Sequence, residues 1–194
     1  MMLILAVLSM VIQRKCFLRI NKKEKIVSFP KESDTKPKGE LIMIKEIVFD
    51  MDGTIADFYN VPNWLELIRA FDPMPYKTAK SMWDMEALAD VLRQLQKNGI
   101  EISIVTWRSK ESNPVFDTLT RLAKLEWLTQ YGFPFDHFHC VHYGATKADS
   151  IRKHLKDGEA ILIDDNKHVR AGWHLGATID PMTENIIEVL KGLI

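Results

Sequence analysis

From residue 43 onward, short apolar runs alternate with amphipathic stretches, and this alternation leaves few folds open. Runs rich in Ile, Val and Leu at 44–49, 102–106 and 160–163 read as strands, with a weaker third strand at 138–141 and a short fifth at 177–179. Helices are expected at 85–97, 114–131, 146–155, 167–174 and 183–190. In the first of these, Leu88, Val91, Leu92 and Leu95 recur at helical spacing, and Asn98-Gly99 supplies the stop. In the second, Leu119, Leu122, Ala123, Leu125 and Leu128 are expected to supply most of the apolar face. Strands alternating with helices imply βαβ units. The expected fold is therefore α/β, a Rossmann-like parallel sheet of about five strands with helices on both faces. Residues 54–82 break the alternation with aromatics and prolines, among them Phe58, Tyr59, Trp64, Phe71 and Tyr76. This insert follows the first strand directly. In open α/β sheets ligands bind beyond the carboxyl ends of the strands, so the insert is expected to act as a small cap over such a site.

Residues 1–42 differ in composition. The run MMLILAVLSMVI is followed by basic QRKCFLRINKKEK and then by polar FPKESDTKPKGE. The apolar run is too short for a transmembrane helix, which needs about 20 apolar residues. A secretory signal carries its positive charge before the apolar run, whereas here the charge follows and no A-x-A site is present. A signal or anchor remains one reading. The favoured one is a leader outside the domain, with residues 31–40 as a flexible linker and Met43 standing just before the first strand. The 26 basic and 26 acidic residues balance, so stable nucleic-acid binding is not expected. Cys16 and Cys140 lie far apart, without metal-ligand spacing, and point to a reducing, cytoplasmic setting.

Chemistry concentrates where the strands end. The first strand runs into Asp50 and Asp52 in FDMDGT, the second into Thr106 in IVTWR, and the fourth into Asp164 and Asp165 in ILIDDN. Lys147, in GATKAD, begins the helix before the fourth strand. In a parallel sheet these ends share one edge. Carboxylates crowded there repel one another unless a cation is bound. Mg2+ suits such a site, since it takes carboxylates together with phosphate oxygens and water.

These four elements, in this order, resemble the motifs of the haloacid dehalogenase-like (HAD) superfamily over 44–165. The resemblance implies a Mg2+-dependent phosphomonoester hydrolase working through an aspartyl-phosphate. Asp50 corresponds to the nucleophile and to a metal ligand. Asp52 corresponds to the general acid/base, its backbone carbonyl to a further ligand. Thr106 and Lys147 correspond to the groups that hold the transferred phosphate. Asp164 corresponds to a direct metal ligand, and Asp165 to a second ligand or one acting through metal-bound water. The second acid, Asp52, favours phosphatase over dehalogenase chemistry. Gly53 permits a sharp bend, and Thr54 steadies it.

The opening DMDGTIADF also resembles the 5'(3')-deoxyribonucleotidase branch, from which this chain departs in its shorter insert and in Thr54. A nucleoside monophosphate and another small phosphate ester are both implied substrates, and a polynucleotide end is a third. A catalytically silent binding module of the same fold and a phosphomutase are the competing readings; the latter normally has a larger cap. Outside these motifs, Arg108 is read as either a phosphate contact or a solvated side chain, and Trp107 as packing. His137, His139 and His142 recur along the third strand and its exit, but no further ligand converges on them by spacing, and a zinc site is not expected.

Overall fold

The run Ile44–Phe49 (β3) is largely buried because it becomes the central strand of a five-stranded parallel sheet. The computed structural model describes residues 19–21, 26–28 and 43–194. In the first two of these segments, Arg19–Asn21 (β1) and Ile26–Ser28 (β2) pair antiparallel as their own two-stranded sheet. The main sheet adds Glu101–Trp107 (β4), His137–Val141 (β5), Glu159–Ile163 (β6) and Thr178–Ile179 (β7). Its order is β5-β4-β3-β6-β7, and every pairing is parallel. The expected α/β, Rossmann-like architecture is thus the observed one. The weak apolar signal of β5 fits its place at the sheet edge, where all five residues are only half-buried.

Two apolar layers cover the sheet. On one face Ile47, Phe49, Ile102, Ile104, Ile161 and Ile163 pack with helices Met85–Lys97 (α3), Pro114–Gln130 (α4) and Ile186–Lys191 (α7). On the other, Val48, Val105 and Leu162 meet Ala148 and Ile151 of Lys147–Arg152 (α5), while Trp173 follows Lys167–Ala171 (α6). Alternation along each strand sorts the side chains between the layers. Helix α3 starts where Asp84 accepts a bond from the backbone N–H of Ala87, and it ends at Asn98. Its Leu88, Leu92 and Leu95 are fully buried, each contributing about 1.5–3 kcal/mol.

Helix α4 corrects the expected apolar face. Leu119 and Leu122 are exposed, and the buried stripe is Phe116, Thr120, Ala123, Lys124, Trp127 and Leu128. Residues 54–82 fold as a 3-10 turn, Phe58–Asn60, and two short helices, Trp64–Arg69 (α1) and Met74–Thr78 (α2). Phe58 stacks on Tyr76 at 4.8 Å between ring centroids, and both join Ile68 against Phe116 and Ala123 of α4. Among the described residues no helix is long and apolar enough to cross a membrane. The apolar run at 1–12 and the linker expected at 31–40 lie outside the described residues.

Phe49 is fully buried and meets Phe133 edge-on at 5.3 Å. Phe49→Ala is expected to cost about 3–5 kcal/mol, read as a lowered midpoint in urea denaturation at unchanged slope.

Candidate functional site

Strand order reverses between β3 and β6, and there the chain delivers its acids. The backbone N–H of Asp50 bonds the carbonyl of Ile163 at 2.9 Å, which ties the end of β3 to the end of β6. Asp50, Asp164 and Asp165 each present a carboxylate oxygen within 4.8 Å of the others. Crevices at such switch points are the usual ligand sites of open α/β sheets.

Between Asp50 and Asp52 the chain turns sharply. Ala56 N–H bonds Met51 O at 2.9 Å and Gly53 N–H bonds Ala56 O at 2.8 Å. Gly53 has φ +82°, and a Cβ there would stand 2.7 Å from the Tyr59 ring and 2.8 Å from Asp165 Oδ2. Only glycine fits both the backbone angle and the space. Thr54 is buried, and its Oγ1 accepts a 3.1 Å bond from the Asp165 backbone N–H. The turn is thereby pinned to the end of β6.

Two buried lysines partition the acids. Lys147, at the start of α5, donates to Asp50 Oδ1 at 2.5 Å and to Asp164 Oδ2 at 2.7 Å. Burial works against its ammonium, but the charges of Asp50 and Asp164 outweigh that and raise its pKa. Lys124, from α4, donates to Asp52 Oδ2 at 2.5 Å, to Thr106 Oγ1 at 2.7 Å and to Trp107 O at 3.0 Å. Asp52 is pushed above the ordinary carboxylate range by burial, with Lys124 opposing and Asp50 adding to the rise. Burial and the charge of Asp50 also raise Asp164, and they push Asp165 up to about 6.

Asp50, Asp52, Thr106, Lys147, Asp164 and Asp165, expected from sequence to share one edge, are brought together. Lys124, in sequence only a rival to Lys147 for the phosphate, is a participant whose contact with Asp52 and Thr106 sequence reasoning missed. It stands four residues after Thr120 and three before Trp127, on the buried stripe of α4. A lysine in phase with an aromatic and a small residue was the available signal.

As a cation site, the three-carboxylate group fits a hard divalent ion. Its donors are all oxygen, and burial together with the charge of Asp50 already raises two of the pKa values. The Asp52 carboxylate stands outside this group, held by Lys124.

A cavity of 380 Å³ opens onto Asp50, Asp52, Lys147 and Asp164, with Tyr59, Trp64, Tyr76 and Trp107 among its walls. Arg108 also lines it, bonded to Asp117 Oδ2 at 2.6 Å, while its Nε is buried without a hydrogen-bond partner. Trp107 both packs and lines: its Nε1 donates to Ala145 O at 2.9 Å, and the Lys147 ammonium lies 5.2 Å from its ring centroid. Of the three histidines that recur along β5 and its exit, His137 and His139 share a face, whereas His142 is exposed beyond the strand end. Contrary to the sequence expectation, other potential ligands do converge on that face, namely His154, Glu101 and Glu46. Compared with known proteins, the chain matches no family model and no curated sequence.

Lys124→Met keeps the aliphatic stem but leaves Asp52 without its cation. It is expected to cost about 3–5 kcal/mol at neutral pH, and Asp52→Asn in the same chain should recover most of that loss in a double-mutant cycle. Asp165 predicts a pH effect of definite sign. Between the ordinary carboxylate value near 3.8 and about 6, the folded chain holds a proton on Asp165 that the unfolded chain has released. This acid therefore lowers stability as pH rises through that window. In metal-free buffer, melting temperature followed across it should fall less steeply for Asp165→Asn than for the wild type.

Proposed function

We propose that the chain is a Mg2+-dependent phosphomonoester hydrolase of the HAD type, with Asp50 as nucleophile. One observation carries this reading: Asp50 lies on a buried lysine, grouped with Asp164 and Asp165, while Asp52 two residues away sits at a raised pKa, all facing one cavity. Two acids with different environments suit two different roles.

In the first step a carboxylate oxygen of Asp50 attacks phosphorus, and the bond from phosphorus to the leaving oxygen breaks. Asp52 gives its proton to that oxygen. In the second step Asp52, now a carboxylate, takes a proton from water as the water oxygen bonds phosphorus. The acyl-phosphate P–O bond breaks, and Asp50 is restored with release of inorganic phosphate.

Lys147 offsets the charge on Asp50 and on the incoming phosphoryl oxygens. Thr106 Oγ1 accepts from Lys124, so its own hydrogen is left to donate to the phosphoryl group. Asp50, Asp164 and Asp165, with the Asp52 carbonyl, would hold Mg2+, which when bound supplies charge neutralisation for the transferred phosphoryl group.

The cavity supports a small substrate with a flat ring. Its volume falls in the range of small-molecule sites, roughly 300–1,000 Å³, and the rings of Tyr59, Trp64 and Trp107 among its walls are candidates for stacking. A nucleoside monophosphate meets both conditions better than a sugar phosphate does.

The test is hydrolysis of p-nitrophenyl phosphate, followed by a phosphate-release screen over nucleoside monophosphates, sugar phosphates and phosphorylated oligonucleotides. Activity should require Mg2+ and vanish with EDTA, and Asp50→Asn should lower kcat by on the order of 10³ or more. Full activity in Asp50→Asn would remove the nucleophile assignment. A wild-type chain that binds these phosphates without releasing phosphate would instead be a binding module.

A further inference from the structure

Four residues before Asp50 along β3, about 13 Å away at roughly 3.3 Å per residue, Glu46 is buried inside the sheet-helix interface with only 1% of its surface exposed. A carboxylate this deep is costly unless its charge is met. Its Oε1 accepts from His154 Nε2 at 2.9 Å and from the Ser103 hydroxyl. Its Oε2 is buried with no hydrogen-bond partner. Directly across the β3–β4 register stands a second acid, Glu101. A cation between or above them would offset both charges.

The side chains around this pair are imidazoles. His137 bonds Glu101 Oε2 at 3.2 Å, and its ring lies 4.3 Å from that of His154. His139 stacks on His154 at 5.6 Å, and its Nε2 is also buried without a partner. Glu101, His137 and His154 each present one donor atom within 4.8 Å of the others. The three histidines come from two elements: β5 supplies His137 and His139, and the chain just after α5 supplies His154.

We propose that Glu101, His137 and His154 form a binding site for a transition-metal dication of the Zn2+ class, separate from the acidic edge around Asp50. Nitrogen donors with one carboxylate match Zn2+ rather than Mg2+, which prefers oxygen alone. Glu46 serves as the positioning carboxylate. Its bond to one ring nitrogen of His154 fixes the ring, the arrangement by which carboxylates orient metal-bound imidazoles. Its unmet negative charge is balanced when the dication arrives. His139 stacks on His154 as well. The two metal groups differ in donor chemistry, so the same chain would sort the two ions.

The experiment uses the full chain without a polyhistidine tag. The protein is stripped with chelator, exposed to Zn2+ alone, desalted and assayed for bound metal, with Co2+ as a spectroscopic probe of geometry. The wild type and Asp164→Asn should both retain one equivalent of Zn2+, and Co2+ should give the intense visible bands of a four-coordinate site. His137 is half-exposed, so His137→Ala should fold with a melting temperature near that of the stripped wild type while losing at least 100-fold in Zn2+ affinity. His154→Ala should lose Zn2+ as well, but with a lowered melting temperature, because it also takes a partner from buried Glu46. Glu46→Gln should weaken binding by about 10–100-fold without abolishing it. No retained Zn2+ in the wild type would overturn the site. Zn2+ lost in Asp164→Asn but kept in His137→Ala would overturn it too, since the ion would then sit at the acidic edge.

Discussion

The structure depends on how four carboxylates are kept folded on one sheet edge. Parallel pairing at the β3–β6 boundary brings Asp50 and Asp164 together through the bond from Asp50 N–H to Ile163 O. Asp52 and Asp165 follow within three residues of the strand ends. Left alone, this edge would be repelled apart or protonated. Two lysines from different helices prevent that, Lys147 between Asp50 and Asp164, and Lys124 between Asp52 and Thr106. Each lysine is almost completely buried, so each depends on its acids as much as they depend on it. Helices α4 and α5 are anchored to the sheet by ionic contacts as well as by apolar ones. The requirement explains why α4 gives up part of its core face to a charged side chain.

Most of this architecture was legible in the sequence, and the reason is local. Strand β3 and helix α3 occur at the expected residues because their signals are short-range: a β-branched run ended by acids, and apolar spacing bounded by Asp84 and Asn98. The acids at strand ends were legible once the strands were parallel, since parallel strands must finish on one edge. Thr106 and Lys147 followed from their positions at the end of one strand and the start of one helix.

What escaped was decided by packing between distant segments. Helix α4 carries leucines on more than one side, and hydrophobicity alone pointed to Leu119 and Leu122. The structure exposes both, because the insert at 58–78 and the sheet demand Phe116, Ala123 and Trp127 instead. That rotation turns Lys124 inward. The histidine group was equally opaque. His137 and His139 are visible as an alternating pair, but His154 reaches them only because α5 runs back along the sheet and stops at Arg152, two residues before it. Glu46 sits in an apolar-looking strand, where nothing local marks it as paired with Ser103 and His154.

Helix α5 and the layer beneath it also explain how two charged groups coexist on one small sheet. Lys147 at the start of the helix faces the acidic edge, and His154 just past its end faces Glu46. Between them Ala148 and Ile151 seal against Val48 and Val105. This apolar layer separates the two lysines and four aspartates of the edge from the three histidines and two glutamates of the other group. A layer of low dielectric does not screen charges from one another. Each group is instead balanced by its own partners, the aspartates by Lys147 and Lys124 and Glu46 by His154 and Ser103. The oxygen-rich edge can then be selected for one chemistry and the nitrogen-rich group for another, although a single helix positions both.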